Sequence, residues 1–234
     1  NEQFMNEKIT HDVEVKESSA LSRRKFLTYA GVLAGAGMFI ASCHKDENNS
    51  VITPSDAVDL GSSDQGLLNY AFLIKQLKAA FYTQVIATPF FGMTPTEKGF
   101  FTDMRDHEIA QREFLRNYLT TFAIPMLETD FSSVDFGLKS SVYAKAKQFE
   151  ELSTAGLAGV CKLMSFSDNL LYATKINSVD ARHSATVNDF ITPGTFAEKT
   201  DSNGMEQAQD PQTSLETTRK FFKRTITGNY LPRY

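Results

Sequence analysis

The feature of this chain that most limits its fold is a helical repeat of apolar residues in four separate segments. Within each segment the apolar side chains advance by four and three positions in turn, which places them on one face of an α-helix. The stripe of the first segment consists of Leu67, Ala71, Ile74, Lys78, Phe81 and Val85. No stretch of useful length alternates apolar and polar residues as a half-buried strand does. The sequence therefore predicts an all-α fold.

The four segments predict four long helices arranged as one bundle. The first begins near Gln65, with Asp64 or Ser63 as its cap, and a turn with prolines at both ends follows it. The other three are expected over residues 96–122, 139–164 and 167–191. The connection before the third helix, residues 124–138, is too long for a simple turn between antiparallel neighbours. It predicts a crossover of the kind that some four-helix bundles contain.

Polar residues interrupt the stripes of the second and fourth helices near their centres. The second stripe reads Phe101, Met104, Glu108, Gln111, Leu115, Tyr118 and Phe122, and the fourth reads Ala173, Ile176, Asp180, His183, Val187 and Phe190. In both helices a carboxylate is followed three positions later by a second polar residue on the same face. If the two helices face each other, these side chains meet in one central layer, as in a carboxylate-bridged dimetal site.

Short fragments of the helices resemble one known family. The fragments are Leu68-Asn69-Tyr70-Ala71 with Ala79-Ala80-Phe81-Tyr82, Asp106-His107-Glu108 with Phe114-Leu115, and Asp180-Ala181-Arg182-His183. In this order they resemble the bacterial ferritin-like domain family that includes desiccation-associated proteins. The resemblance spans roughly residues 64–190 and implies a ferritin-like four-helix bundle over residues 64–191.

The resemblance also implies a ligand set that this chain has mostly lost. Active members take one glutamate from each of the first and third helices and Glu-x-x-His from each of the others. The first glutamate falls on Lys75 by its distance to Tyr82, or on Lys78 by the stripe, and the third-helix glutamate falls on Ser153. The second-helix histidine is replaced by Gln111. The possible metal ligands that remain are Glu108, Asp180 and His183. The lysine that replaces the first glutamate would repel metal cations.

The N-terminal region predicts export and lipidation. Ser22-Arg23-Arg24-Lys25-Phe26-Leu27 resembles the twin-arginine signal, and Ile40-Ala41-Ser42-Cys43 resembles a lipobox, in which the cysteine becomes the acylated first residue. Between them lies a short apolar run with three glycines, which suits a signal peptide better than a membrane span. We therefore expect a signal peptide with an N-terminal extension over residues 1–42 and a lipidated, flexible tether over residues 43–63.

The same region predicts where the protein resides. Anchoring at Cys43 places the protein on the outer membrane, and the His44-Lys45-Asp46-Glu47 segment resembles a sorting signal for the outer face. A formal net charge of −4 does not favour a nucleic-acid partner. The lone Cys161 in an apolar helical context predicts an inert thiol. The tail, residues 192–234, is polar, with one short helix expected over residues 213–224, and is expected to pack loosely or to wrap the bundle.

Three functions are compatible with these features. The first is a non-catalytic binding or structural role without a cofactor, in which Lys75 or Lys78 pairs with Glu108 or Asp180. The second is an oxidoreductase that holds a single iron or manganese ion and reacts with oxygen, peroxide or ferrous iron. Twin-arginine export of folded proteins favours this alternative. The third is an interaction module that presents loops and the tail, and a second ferritin-like chain is a further possible partner.

Overall fold

The computed structural model describes residues 57–234, so the predicted signal peptide and the predicted tether up to residue 56 lie outside the described part. The all-α prediction is confirmed within it. Four helices of 25 residues each form the bundle: α1 (Ser63–Ala87), α2 (Pro95–Leu119), α3 (Lys139–Leu163) and α4 (Ser167–Ile191). Helix α1 packs along α2, and α3 packs along α4. Between residues 57 and 234, no helix combines the length and the apolar character needed to span a bilayer.

The observed helix boundaries differ little from the predicted ones. The fourth helix agrees at both ends, and the third ends at Leu163, one residue early. Helix α2 begins at Pro95 because Thr94 and Glu97 form a capping box, in which each side chain accepts a hydrogen bond from the other's backbone N–H. It ends at Leu119, and a 3₁₀ turn (Thr120–Phe122) completes the predicted segment.

Helix α1 occupies the centre of the fold, and 18 of its 25 residues are buried. Its other neighbours are α3, α4 and a short tail helix, α5 (Pro211–Thr218). The six residues of its predicted stripe are all buried, and so are most residues on its other faces. A helix buried all round must satisfy its polar side chains internally.

Two buried amides on α1 bind the backbone of the long crossover. The Asn69 side chain donates to the carbonyls of Leu60 and Phe122 at 3.1 and 3.0 Å and accepts from the Ile124 N–H at 3.0 Å. Two turns later, Gln76 donates to Pro125 O at 3.2 Å and accepts from Leu127 N–H at 2.7 Å. These bonds hold the crossover against the two turns of α1 between Asn69 and Gln76.

Asp64 caps a helix other than the one predicted. Helix α1 begins at Ser63, and its N-cap, Ser62, makes no side-chain capping bond. The Asp64 carboxylate instead accepts from the backbone N–H groups of Ser165 and Phe166 at 2.9 and 3.0 Å, just before α4. The prediction of a local cap was wrong because the carboxylate turns toward the neighbouring helix end, whose N–H groups also attract an anion.

The predicted stripes are buried at mid-bundle and exposed at some helix ends. Tyr118, Phe122 and Phe190 were predicted to face the core but are 38, 62 and 41% exposed. Helix α2 packs on α1 and helix α4 packs on α3, and the outer side chains of α2 and α4 also meet. Tyr118 donates its hydroxyl to Asn169 Oδ1 at 2.7 Å, and the centres of the Phe100 and Phe190 rings are 4.9 Å apart. Tyr118 and Phe190 therefore contact the neighbouring outer helix and stay partly open to solvent.

The tail wraps the bundle instead of packing loosely along its whole length. Residues 213–224 were predicted as one helix, but α5 ends at Thr218 and continues only as a 3₁₀ turn (Arg219–Phe221). Strand β2 (Ile226–Thr227) then pairs in parallel with strand β1 (Val58–Asp59). Buried side chains along this path are Leu215, Phe221, Phe222, Ile226 and Leu231.

The strand pair also corrects the predicted start of the fold. Residues up to 63 were predicted as flexible tether, yet Leu60 is fully buried and donates its N–H to Thr227 O at 3.0 Å. The folded part therefore begins no later than Val58. A two-residue strand carries no periodicity, which is why the pattern of apolar residues could not reveal it.

Candidate functional site

Five charged side chains from all four long helices meet at the centre of the bundle, and we call them the charged cluster. They are Lys75 and Lys78 from α1, Glu108 from α2, Glu150 from α3 and Asp180 from α4. None of the five has any solvent-exposed surface. Ser153 and His183 adjoin them, and His183 is 7% exposed. A fully buried charge is tolerated only when opposite charges and hydrogen bonds compensate it.

Lys78 lies among all three carboxylates of the charged cluster. Its Nζ is 2.9 Å from Glu108 Oε1, 2.7 Å from Glu150 Oε2 and 3.2 Å from Asp180 Oδ2. Burial by itself lowers the pKa of Lys78, but the negative charges of Asp180, Glu108 and Glu150 more than offset this effect and raise the pKa above its usual value. Lys78 is therefore held as an ammonium ion.

Lys75 contacts two of the same carboxylates. Its Nζ donates to Glu108 Oε2 at 3.0 Å and to Asp180 Oδ1. The second Asp180 oxygen accepts from the Ser153 hydroxyl. The position of the first-helix glutamate fell on Lys75 or on Lys78, depending on how it was counted in the sequence. Both lysines lie in the charged cluster, and both ammonium groups bridge α2 to α4.

The carboxylates of the charged cluster differ in how readily they take a proton. Burial raises the pKa of Glu108, but the charges of Lys75, Lys78 and His183 more than offset it, so the pKa lies well below its usual value. For Glu150, burial is the strongest influence and raises the pKa despite the attraction of Lys78. Tyr82 donates its hydroxyl to Glu150 Oε1 at 2.6 Å. Burial, followed by the Glu150 charge, raises the pKa of this tyrosine well above normal.

His183 connects the charged cluster to a second histidine at the surface. Its Nδ1 lies 3.2 Å from Glu108 Oε1, and its Nε2 lies 3.0 Å from Nδ1 of His107. The two rings are parallel to within 6°, and one facing nitrogen must donate while the other accepts. His107, which directly precedes Glu108 in the sequence, is exposed and yet contacts the predicted ligand His183.

The structure brings the three predicted ligands together and adds a fourth. Ligand atoms of Glu108, Glu150, Asp180 and His183 all lie within 4.8 Å of one another. Sequence reasoning missed Glu150 because the third-helix glutamate was aligned with Ser153. The available signal was its spacing, since residues three apart share a helix face and Glu150 precedes Ser153 by three.

Gln111 does not join the charged cluster. It lines a groove of about 350 Å³ between α2 and α4, together with Phe114, Tyr172 and Ile176. Its buried Oε1 has no hydrogen-bond partner among the described residues. Cys161 on α3 is a free thiol whose pKa is raised by burial, which agrees with the inert role expected for it.

Two divalent metal ions do not fit this set of side chains. A dimetal centre needs carboxylates on both ions to offset a charge of about +4, and only three carboxylates are present here. The two Nζ atoms lie at 2.7–3.2 Å from carboxylate oxygens that the ions would need to bind. The ammonium groups and the metals therefore compete for the same oxygens, and the ammonium groups would repel the metals.

Comparison with known proteins gives the family of the chain. A sequence model of the ferritin-like domain matches residues 63–193, from the start of α1 to just beyond α4. No curated protein sequence is significantly similar to this chain. The matched range covers more than half of the sequence and coincides with the four long helices that build the charged cluster. The chain belongs to the ferritin-like domain family.

Proposed function

We propose that this protein is a metal-free, non-catalytic member of the ferritin-like family with a binding or structural role in the cell envelope. The observation that carries the proposal is the position of the two lysines. Lys75 and Lys78 contribute two positive charges between three carboxylates, all without solvent exposure. The positive charges of the ammonium groups offset the negative carboxylates, as metal ions do in an active ferritin-like centre. Unlike metal ions, the ammonium groups cannot leave the protein or change oxidation state.

A metal ion that enters the charged cluster must displace the ammonium group of Lys78. Lys78 contacts all three carboxylates, so an entering ion must move its ammonium group away or remove its proton. The raised pKa of Lys78 opposes loss of the proton. Moving the ammonium group would leave it buried without a partner, which costs several kcal/mol.

Metal analysis in solution tests this proposal. The protein is purified without chelator, incubated with ferrous iron or manganese under nitrogen, desalted and analysed by mass spectrometry of the elements. We expect far less than one equivalent of either metal and no acceleration of ferrous iron oxidation in air. The matched variant Lys75→Gln/Lys78→Glu, which gives four acidic side chains and no ammonium group, is expected to retain more metal than the native protein.

A single-ion oxidoreductase is the second candidate, because four ligand atoms of the charged cluster and His183 lie within 4.8 Å of one another. Two carboxylates and one imidazole are enough for one iron or manganese ion. About one equivalent of bound metal, together with oxygen-dependent turnover, would establish this function and overturn the metal-free proposal. Gln111 is not placed to support such an ion, because its side chain lies in the groove between α2 and α4.

We also propose that the protein is exported and anchored to the outer membrane through lipid on Cys43. The support is the order of the Arg23-Arg24 pair, the short apolar run and the lipobox-like Ile40-Ala41-Ser42-Cys43 in the sequence. In cells fed an alkyne-labelled fatty acid, the native protein should carry label and Cys43→Ala should not. Arg23→Lys/Arg24→Lys should leave the precursor in the cytoplasm, and export of this variant at the native rate would exclude the twin-arginine route.

A further inference from the structure

We propose that Lys75 and Asp180 join in an intramolecular isopeptide bond, which ties the central helix α1 covalently to α4. This inference rests on the metal-free cluster proposed above, because a metal ion on Asp180 would occupy the carboxylate that reacts. In the joined form Lys78 is the ammonium group that remains in the charged cluster, and the amide removes the Asp180 carboxylate as a metal ligand. The bond requires a nucleophilic amine, a carboxyl carbon, a group that takes the proton and donors that stabilise the oxyanion. The charged cluster contains all four within contact distance.

The reacting pair is closed off from water. Lys75 Nζ contacts Asp180 Oδ1, and neither residue has any exposed surface. In bulk water the two charged groups are well hydrated and do not condense. Burial removes that hydration and destabilises the separated charges relative to a neutral amide. It also prevents water from returning to hydrolyse the product.

The proton acceptor is Glu108. Its Oε2 accepts a hydrogen bond from Lys75 Nζ at 3.0 Å, so it is placed to remove a proton from the ammonium group. No water or second molecule is needed for this transfer. The fixed geometry of three buried side chains from α1, α2 and α4 keeps the amine close to the carboxyl carbon.

Ser153 and Lys78 stabilise the oxyanion, the first by a hydrogen bond and the second by its positive charge. The Ser153 hydroxyl donates to Asp180 Oδ2, and Lys78 Nζ lies 3.2 Å from the same oxygen. When the amine adds to the carboxyl carbon, negative charge grows on this oxygen, beside the hydroxyl and the ammonium group. Lys78 itself is a poorer nucleophile because three carboxylates hold its ammonium group, whereas Lys75 contacts two.

The reaction balances without an oxidant or co-reactant. Glu108 takes one proton from Lys75, and the resulting amine forms a bond to Cγ of Asp180. Glu108 then returns its proton to Oδ1, the oxygen next to Lys75, and a second proton passes from the nitrogen to the same oxygen, which leaves the tetrahedral intermediate as water. The products are a secondary amide and one water molecule. The charged cluster then keeps Lys78, Glu108 and Glu150, so its net charge is unchanged.

Mass spectrometry of the native protein tests the proposal. We expect the intact chain to be lighter by one water molecule than the mass calculated for its processed, lipid-bearing sequence. A tryptic digest should contain a branched peptide in which the Lys75 side chain is joined to Ile176–Arg182, the peptide that holds Asp180. Loss of water at an unrelated residue would lower the mass but would not produce this branched peptide.

Variants assign the roles of the residues. Lys75→Gln and Asp180→Ala should restore the full mass, Lys98→Gln at an exposed position on α2 should keep the mass deficit, and Glu108→Gln should slow its appearance after synthesis. If the native protein has its full mass and the Ile176–Arg182 peptide is found unbranched, the proposal is overturned even when every variant misfolds. That result would leave the metal-free proposal intact, since metal content is measured separately.

Discussion

At the scale of single residues, Lys78 decides the chemistry of the bundle. Its aliphatic stem lies in the apolar stripe of α1. Its ammonium group contacts Glu108, Glu150 and Asp180, one from each of the other three long helices. In the metal-free bundle that we propose, this cation takes the place of metal ions in holding the acidic residues together. Because the three carboxylates are buried, the stability of the fold depends on the positive charge of Lys78.

Removing that single charge should destabilise the protein strongly. Lys78→Met keeps most of the side-chain volume but leaves three buried carboxylates with one ammonium group, and we expect a loss of about 3–5 kcal/mol in the free energy of unfolding. Urea denaturation followed by circular dichroism measures it. Lys98→Met on the exposed face of α2 is the matched control and should change stability by less than about 0.5 kcal/mol. Equal effects of the two substitutions would contradict the role assigned to Lys78.

At the scale of elements, the polar residues of α1 and α2 fix where neighbouring segments lie. Asn69 and Gln76 hold the crossover, Asp64 caps the approach to α4, and Glu97 closes the start of α2. Each of these contacts joins a side chain to a backbone segment distant in sequence or to a helix end. Such contacts define the geometry of the bundle more closely than the apolar stripes do.

The crossover should loosen when Gln76 is replaced by a side chain of similar shape without an amide. Gln76→Met leaves Pro125 O and the Leu127 N–H unpaired, which should cost about 1–3 kcal/mol. Hydrogen exchange should report faster exchange at the Leu127 amide than in the native protein. Gln84→Met, at an exposed position of the same helix, should leave that exchange rate unchanged. Unaltered exchange in Gln76→Met would show that the amide does not hold the crossover.

The start of α2 should respond to acid through Glu97. Burial raises the pKa of Glu97, but Lys139 and hydrogen bonds from Thr94 and Tyr143 more than offset it and hold the pKa at about 2. A carboxyl whose folded-state pKa is depressed contributes stability above its unfolded pKa, near 4.5, and that contribution is lost as the pH falls toward 2. The free energy of unfolding of Glu97→Gln should therefore fall less steeply than that of the native protein over this range, and identical slopes would contradict the assignment.

At the scale of the whole molecule, the tail packs against the four-helix bundle and pairs with the strand that precedes it. It approaches α3 at two glycines: a Cβ at Gly159 would stand 2.0 Å from the Gln209 carbonyl oxygen, and one at Gly156 would stand 3.1 Å from Ser214 Oγ. The Gln209 N–H donates to Ala155 O at 2.9 Å. The described fold therefore includes the tail, and the ferritin-like match ends before it.

Substitution of Gly159 tests how firmly the tail is docked. Gly159→Ala should displace the backbone at Gln209 and cost about 1–3 kcal/mol, the usual penalty of overpacking. Limited proteolysis should then cleave the tail near residue 209 sooner than in the native protein. Gly99→Ala, on an open face of α2 with nothing within 4 Å of the added methyl group, should be neutral or stabilising by about 0.5–1 kcal/mol. Equal proteolysis of the two variants would contradict a close approach of the tail at Gly159.

The sequence predicts those features that depend on residues close together in the chain, and not those that depend on residues far apart. The four long helices were predictable because their apolar periodicity is local, and Glu108, Asp180 and His183 were found by their i, i+3 spacing. Glu150 lay one position from the stripe and was missed, because register between α3 and its neighbours is a property of packing. The pairing of β1 with β2 and the capping by Asp64 join residues over 100 positions apart, which no local pattern encodes.

We propose that ammonium groups stand where a ferritin-like protein would bind metals. Anomalous diffraction at the manganese absorption edge, from crystals grown in the presence of manganese, tests this directly. We expect no anomalous peak between the four long helices, and we expect Lys75 and Lys78 Nζ within hydrogen-bond distance of Glu108. Two anomalous peaks among Glu108, Glu150 and Asp180, with both lysine side chains turned away, would contradict it.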